Sequence, residues 1–305
     1  MVRYCIIPDW STRTHSNFFK QLCNDLNLEA ITANEINRKL NFMSFIYLVP
    51  VFFKIILNFR DFRKIYFKDI CIGFSLNEEL IARSKLGSVS INFDLFKLTF
   101  FSINFIINLN NFYKINPKFC AFAGDDLYIK FSLISQFCLN NSLKCFSFKG
   151  GDKINFFNYD LKRFSSRYLP NDNFNKNKNY HFKYQKILNR GFYDYSYMNQ
   201  REKVEKLKIE NNSVIIYLHD FFDSPAFYGG NIFRSHIEWI TDTINFLVQN
   251  NIKFYLKRHP NEREKNIPVI NFLSNKFKNL EFLKNDFSLK TVDASKIKFI
   301  ISVYG

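Results

Sequence analysis

The chain has 305 residues, 47% of them hydrophobic, which is long for one ordinary core and enough to build two. Its formal net charge is +16, with Lys outnumbering Arg by 30 to 13 and the cations spread along the chain, so there is no contiguous basic arm of the kind that grips nucleic acid. The 39 Phe residues, with abundant Lys, Asn and Ile, read as the residue bias of an AT-rich genome and not as a dedicated aromatic surface.

In chain order, residues 4–7 are expected to form a first strand ending at Pro8-Asp9, and this start lacks the long apolar core and small-residue cleavage site of a secretory leader. A helix is expected over 17–26. The most apolar stretch, 42–57, contains Pro50 and Lys54 and falls short of the ~20 residues a spanning helix needs. It is read as a buried helix, with a membrane-surface helix as the alternative, and the helix-rich run continues to 64. Then come a strand over 69–72 ending at Gly73, a helix over 93–112, a strand over 119–123 ending at Gly124-Asp125-Asp126, a helix over 128–140 and a strand over 144–148 ending at Gly150-Gly151. The alternation of strand and helix makes the first lobe, 1–205, α/β. From 152 to about 200 the chain is rich in Asn, Lys, Tyr and Asp without periodicity, and reads as a long excursion and linker.

The last hundred residues carry the clearest pattern. A continuously apolar strand over 214–218 is followed by a loop, 219–231. A helix over 232–250 then sets Phe233, Ile237, Ile240, Ile244 and Leu247 on one face. A strand over 253–257, a helix over 268–277, a strand over 280–283, a short helix capped by Asp286 and running to Ser295, and a strand over 298–303 complete a β-α-β-α-β-α-β series. Such a series predicts a parallel sheet with helices on both faces, so the expected architecture is α/β with two Rossmann-like lobes, the second being 206–305. The helix and strand that should come after residue 303 are absent, and the second lobe is expected to be incomplete.

Candidate chemistry sits at the expected strand tips. The run Lys257-Arg258-His259-Pro260-Asn261-Glu262 leaves a strand at its C-terminal end, where open α/β sheets bind ligands. Pro suits a helix first turn, and a helix start offers N–H groups to an anion, so this run suits a nucleotide phosphate. Ser302 closes the last strand and can bond a phosphate or ribose. His219 and Asp223 lie in the loop after the strand over 214–218, in which Gly229-Gly230 would admit close backbone approach. Asp125 and Asp126 follow a first-lobe strand: one is read as a helix cap, the other as a general base, with Asp9 a weaker third. The six cysteines form no CxxC pair and no zinc-ligand set, and read as buried free thiols of a reducing compartment. GxGxxG, GxxxxGK, GxSxG and HExxH patterns are all absent, and no catalytic metal is expected. Trp10 and Trp239 are read as core residues. Phe192, Tyr193, Tyr195 and Tyr197 are read as linker packing before an acceptor groove.

The stretch 214–262 resembles bacterial capsule and surface-carbohydrate biosynthesis proteins. It has a strand ending in a polar loop with Asp and Pro, a helix carrying the pair Glu238-Trp239, and a strand ending in Lys257-Arg258-His259-Pro260. Residues 286–305 are similar to the element that follows in those proteins, and 70–85 and 124–150 resemble them more faintly. The resemblance implies a glycosyltransferase of the two-domain glycosyltransferase-B fold that uses an HP motif and works without a metal. Its donor would be nucleotide-activated, often CMP-linked, and its acceptor a glycan of a surface or capsular polysaccharide. Under that resemblance His259 and Ser302 match phosphate-contacting positions, and Asp125 or Asp126 would be the base. The implied location is cytoplasmic, peripheral at the inner membrane, with no nucleic-acid partner. The alternative is a truncated, non-catalytic protein that binds polysaccharide or membrane.

Overall fold

The computed structural model describes residues 3–7, 13–123, 128–149, 155–158, 169–170, 209–222, 233–259, 264–283 and 294–302. The chain is mixed α/β, and its backbone divides into two compact units. One comprises Met1–Glu79 and Ser90–Asp194, the other Leu80–Val89 and Tyr195–Gly305.

The first unit is built on β1 (Tyr4–Ile7), β2 (Glu29–Thr32), β5 (Cys120–Ala123), β6 (Cys145–Lys149), β7 (Asn155–Asn158) and β8 (Leu169–Pro170), in the order β2-β1-β5-β6-β7-β8. The first four are parallel neighbours and the last two join antiparallel. The sequence order reverses between β1 and β5, so their C-terminal tips flank a topological switch point. Strands β7 and β8 lie in the stretch read as linker. Asn-Phe-Phe-Asn carries no strand alternation to announce the first of them. Helix α1 (Arg13–Asp25) closes one face with Phe19, Leu22 and Cys23 against Cys5, Ile7 and Phe122. All six cysteines are free, five buried and Cys120 half-buried.

A two-residue hairpin, β3 (Tyr66–Phe67) with β4 (Ile70–Cys71), leads straight into α4 (Ile72–Arg83). Gly73, read from the sequence as the end of a strand, is the second residue of this helix. A Cβ there would collide with the Phe62 carbonyl oxygen, so the glycine serves close packing and not a break. A short capped helix, α2 (Ala33–Ile36), precedes α3 (Phe42–Leu57), which packs on α5 (Phe93–Ile115). The α3 range agrees with the apolar stretch, but the expectation of a buried helix needs correction. Ser44, Leu48 and Ile55 are covered, while Phe42 is 76%, Phe53 61% and Leu57 79% exposed. A helix apolar all round shows no sequence stripe to mark its inner side, and here only one side has a neighbour. No helix among the described residues is long and apolar enough to cross a membrane. Helix α6 (Ile129–Asn140) connects β5 to β6.

The second unit holds four parallel strands, β9 (Ser213–Tyr217), β10 (Phe254–Lys257), β11 (Phe282–Leu283) and β12 (Ile297–Ser302), in the order β11-β10-β9-β12. Helices α7 (His236–Gln249) and α8 (Ile267–Lys276) make the crossovers. Ile237, Ile240, Ile244 and Leu247 of α7 and Val269, Ile270 and Leu273 of α8 share one core with Val214, Ile216 and Leu256. Both helices therefore cover the same face, while the helix expected to run from Asp286 to Ser295 lies, up to residue 293, outside the described residues. Successive crossovers from β9 to β10 to β11 step the same way along the sheet and keep to one side. The other face carries Ile209, Ile215, Tyr255 and Leu283. Trp239 packs partly buried against the α7–α8 core. At the N-terminal sheet edge Lys253 bridges Glu210 and Glu281, and these carboxylates, Glu281 first, raise its pKa. The Leu80–Val89 segment joins this unit through Leu86 and through Gly87, whose φ of +61° suits glycine.

Candidate functional site

Strand order makes the C-terminal edge of the second sheet the place to look. β9 is first in sequence yet lies inside the sheet, with β10 and β11 on one side and β12 on the other, so the chain reverses direction beside it. Register lines up Leu283, Lys257, Tyr217 and Ser302 across the four strand ends. Lys257 and Ser302 thus flank Tyr217, about 10 Å apart at two strand spacings.

Just beyond that row three histidines gather. The His219 ring, after β9, lies 4.8 Å from the His236 ring and 5.5 Å from the His259 ring, centroid to centroid. They belong to three elements: the β9 loop, the first residue of α7, and the residue pair following β10. His219 and His259 were singled out from sequence, and the fold brings them together. His236 was not. It falls in the first turn of a helix read only by its apolar stripe; the usable signal was that three of the five histidines of the chain lie between 219 and 259.

Each ring has a distinct environment. His236 is 0% exposed, and its pKa is lowered to about 3, first by burial and then by the neighbouring His219 charge. It is therefore a neutral imidazole at physiological pH. His219 and His259 are half-buried. His219 Nδ1 lies 3.2 Å from the Asp220 carbonyl oxygen, an arrangement in which that nitrogen donates. Asp220 is 2% exposed and its Oδ1 accepts the Phe222 N–H at 3.0 Å, which folds the loop into a tight turn. Asn266 Oδ1 accepts the Phe221 N–H at 3.2 Å. The His219 loop is thus fixed by side chains on both sides of it.

The two cations expected beside His259 do not act as one. Lys257 is 4% exposed, and strand alternation sets it on the face opposite Leu256. Arg258 lies with its guanidinium 5.1 Å from the Phe282 ring centroid, on a residue packed against the α7–α8 core. The next helix begins at Ile267 with Pro268 in its first turn, after a 3-10 turn at Glu264–Asn266. The helix start beside the histidines is that of α7. There Ser235 Oγ accepts the Glu238 N–H at 3.2 Å, and Glu238 accepts the Arg234 N–H at 2.7 Å and its guanidinium at 3.1 Å. A cavity of about 240 Å³ opens on the outer flank of α7, between Arg234, Glu238 and Leu86, and His236 does not line it.

Pro260, Glu262, Asp223, Asp125, Asp126 and Asp9 lie outside the described residues. β5, which precedes Asp125 and Asp126, ends at Ala123 beside β1. Among the described residues no group of three or more His, Cys, Asp or Glu is arranged to hold a metal ion; the histidine rings lie alongside one another, tilted by 33° and 53°.

No protein-family model matches the chain, and no solved structure matches it. It is 30% identical over 198 residues to a DNA-directed RNA polymerase subunit beta of Neospora caninum, and the match takes in 58% of this chain and 18% of that protein.

Proposed function

We propose that the protein is a glycosyltransferase that moves a sugar from a nucleotide-activated donor, CMP-linked in the simplest case, to a surface or capsular polysaccharide acceptor. The two units would be the two lobes of a glycosyltransferase-B fold. The observation that carries the reading is the joining of His219 and His259 at the C-terminal edge of a parallel sheet, beside its switch point and at the start of α7. Imidazoles and helix N–H groups there suit the negative charge that grows on a departing nucleotide phosphate. Ser302, level with Tyr217 on the neighbouring strand, would add a hydroxyl donor. Lys257 and Arg258 would shape the site from opposite faces. Asp125 or Asp126 would take the acceptor proton, and no step requires a metal.

The test is calorimetry with CMP and CDP, followed by transfer assays with CMP-, CDP- and UDP-sugars. His259→Ala and His219→Ala should each weaken nucleotide binding and lower turnover by about 10²-fold, the scale of losing one donor to a developing anion. Wild-type protein that binds none of these nucleotides would defeat the reading. The likeness to a polymerase subunit covers too little of that protein to extend to function.

The alternative is a truncated, non-catalytic protein that binds polysaccharide or a membrane, and nucleotide binding separates the two.

A further inference from the structure

Helix α3 buries Leu48 and Ile55 on its inner side yet keeps its outward side apolar, against what water favours. Its inner side presents Ser44, whose hydroxyl donates to Asn104 Oδ1 at 2.9 Å. Its outer side presents Phe42, Phe45, Ile46, Val49, Phe53 and Leu57, each between 51% and 79% exposed. These residues recur at helical spacing, and with Met43 and Pro50 they leave Lys54 as the one charge on the outward surface. The patch continues onto the start of α5. Ile91 is 51% and Phe93 66% exposed, and Phe96 sits edge-on to Phe52 at 5.2 Å. A contiguous outward surface of this kind marks an interaction site.

Charge selects the occupant. Arg38 and Lys39 precede α3, Lys54 lies on it, and Arg60, Lys64 and Lys68 follow; all are exposed. Asp61 is the only acid between 38 and 68. Lys97 adds a cation whose Nζ stands 4.4 Å from the Phe93 ring centroid. A second copy placed symmetrically on this face would bring the same cations against one another. An anionic bilayer offers hydrocarbon to the phenyl rings and phosphate to their basic rim. With 16 residues α3 is about 24 Å long, short of the ~30 Å hydrocarbon core, so it would lie in the interface and not across it.

We infer that α3 and the start of α5 form a monotopic docking surface for an anionic lipid bilayer, with the aromatic side chains in the acyl boundary and the flanking Lys and Arg on headgroup phosphates. This surface does not depend on sugar transfer; a protein that binds no nucleotide would keep it.

The experiment is flotation of the full chain with vesicles of phosphatidylcholine alone and of phosphatidylcholine with an equal part of phosphatidylglycerol. The protein should float with the anionic vesicles and be largely released by high salt. Each cation removed should weaken binding about fivefold. Phe42→Ser/Phe53→Ser, on residues that face outward, should weaken it at least about tenfold with an unchanged melting curve. Phe53→Trp should gain emission that brominated lipid quenches, beyond the signal of the wild-type chain, and this readout stands even where the double Ser variant folds poorly. Absence of flotation overturns the inference. So does equal binding by the double Ser variant, which would leave charge alone as the cause. A Phe53→Trp residue shielded from quencher without lipid, in a chain that sediments as a dimer, would assign the face to a second copy and also overturn it.

Discussion

The His219 and His236 rings lie 4.8 Å apart, centroid to centroid, and His236 is wholly buried. Burial, and then the charge of His219, hold the His236 pKa at about 3 against an ordinary value of 6.5. The folded pKa is depressed. Below about pH 6.5 the unfolded chain therefore binds a proton that the folded chain refuses, and stability falls as pH drops toward 3. The full linkage is on the order of 5 kcal/mol across that window. Urea unfolding of wild type and His236→Phe at a series of pH values should show a steeper acid loss for wild type. Parallel profiles would mean that His236 is solvated in the folded chain.

Gly87 tests how the Leu80–Val89 segment supports the site. Its φ is +61°, and a Cβ would collide with the carbonyl oxygen of Phe221, two residues beyond His219, and crowd its Cβ. At an ordinary position Gly→Ala stabilises by about 0.4–1 kcal/mol through the unfolded chain. Here the sign should reverse, with a loss of about 1–3 kcal/mol. The strain should also reach the loop. Gly87→Ala should shift the His219 and Asp220 amide resonances while those of α1, in the other unit, stay in place. An unchanged or raised denaturation midpoint would show that the contact is not tight.

Legibility followed burial. β9 was read because a central parallel strand is covered on both faces and shows as a continuous run, Val214-Ile215-Ile216. α7 was read because Ile237, Ile240, Ile244 and Leu247 mark one stripe. β2, β7 and β8 escaped because short strands near a sheet edge need few apolar residues. The site divides in the same way. His219 and His259 were legible as strand-tip residues. The expected pairing of Lys257 with Arg258 was not safe, because adjacent residues leaving a strand point to opposite faces. Nothing local in 80–89 announces that it packs with residues far along the chain. The outward side of α3 was likewise hidden, since a helix apolar all round gains its inner face only from the helix it meets.

That inner face rests on Asn104, and its removal is the sharpest test of the first unit. Asn104 is 2% exposed, and its Oδ1 accepts the Asn41 N–H and the Ser44 hydroxyl, both at 2.9 Å. Its Nδ2 donates to Asn37 Oδ1 at 2.8 Å and to the Lys39 carbonyl at 3.1 Å. One amide from α5 thus ties down the turn before α3, its N-cap residue and its first turn. Asn108, one turn further along α5, donates to the same Lys39 carbonyl at 2.7 Å and to Asn37 Oδ1 at 3.3 Å, so those acceptors keep a partner when Asn104 is lost. The Asn41 N–H and the Ser44 hydroxyl lose their bonds to Asn104, and each such loss in a buried place costs about 1–3 kcal/mol. Asn104→Ala should therefore cost about 2–4 kcal/mol and Asn108→Ala clearly less. A double-mutant cycle of Ser44→Ala with Asn104→Ala should show coupling of about 0.5–3 kcal/mol. Hydrogen exchange should quicken first in α3, because its outward apolar side offers nothing in water to hold it once the inner side is released. Equal losses for the two Asn variants, with no coupling to Ser44, would mean that apolar packing against α5 alone sets the pose of α3.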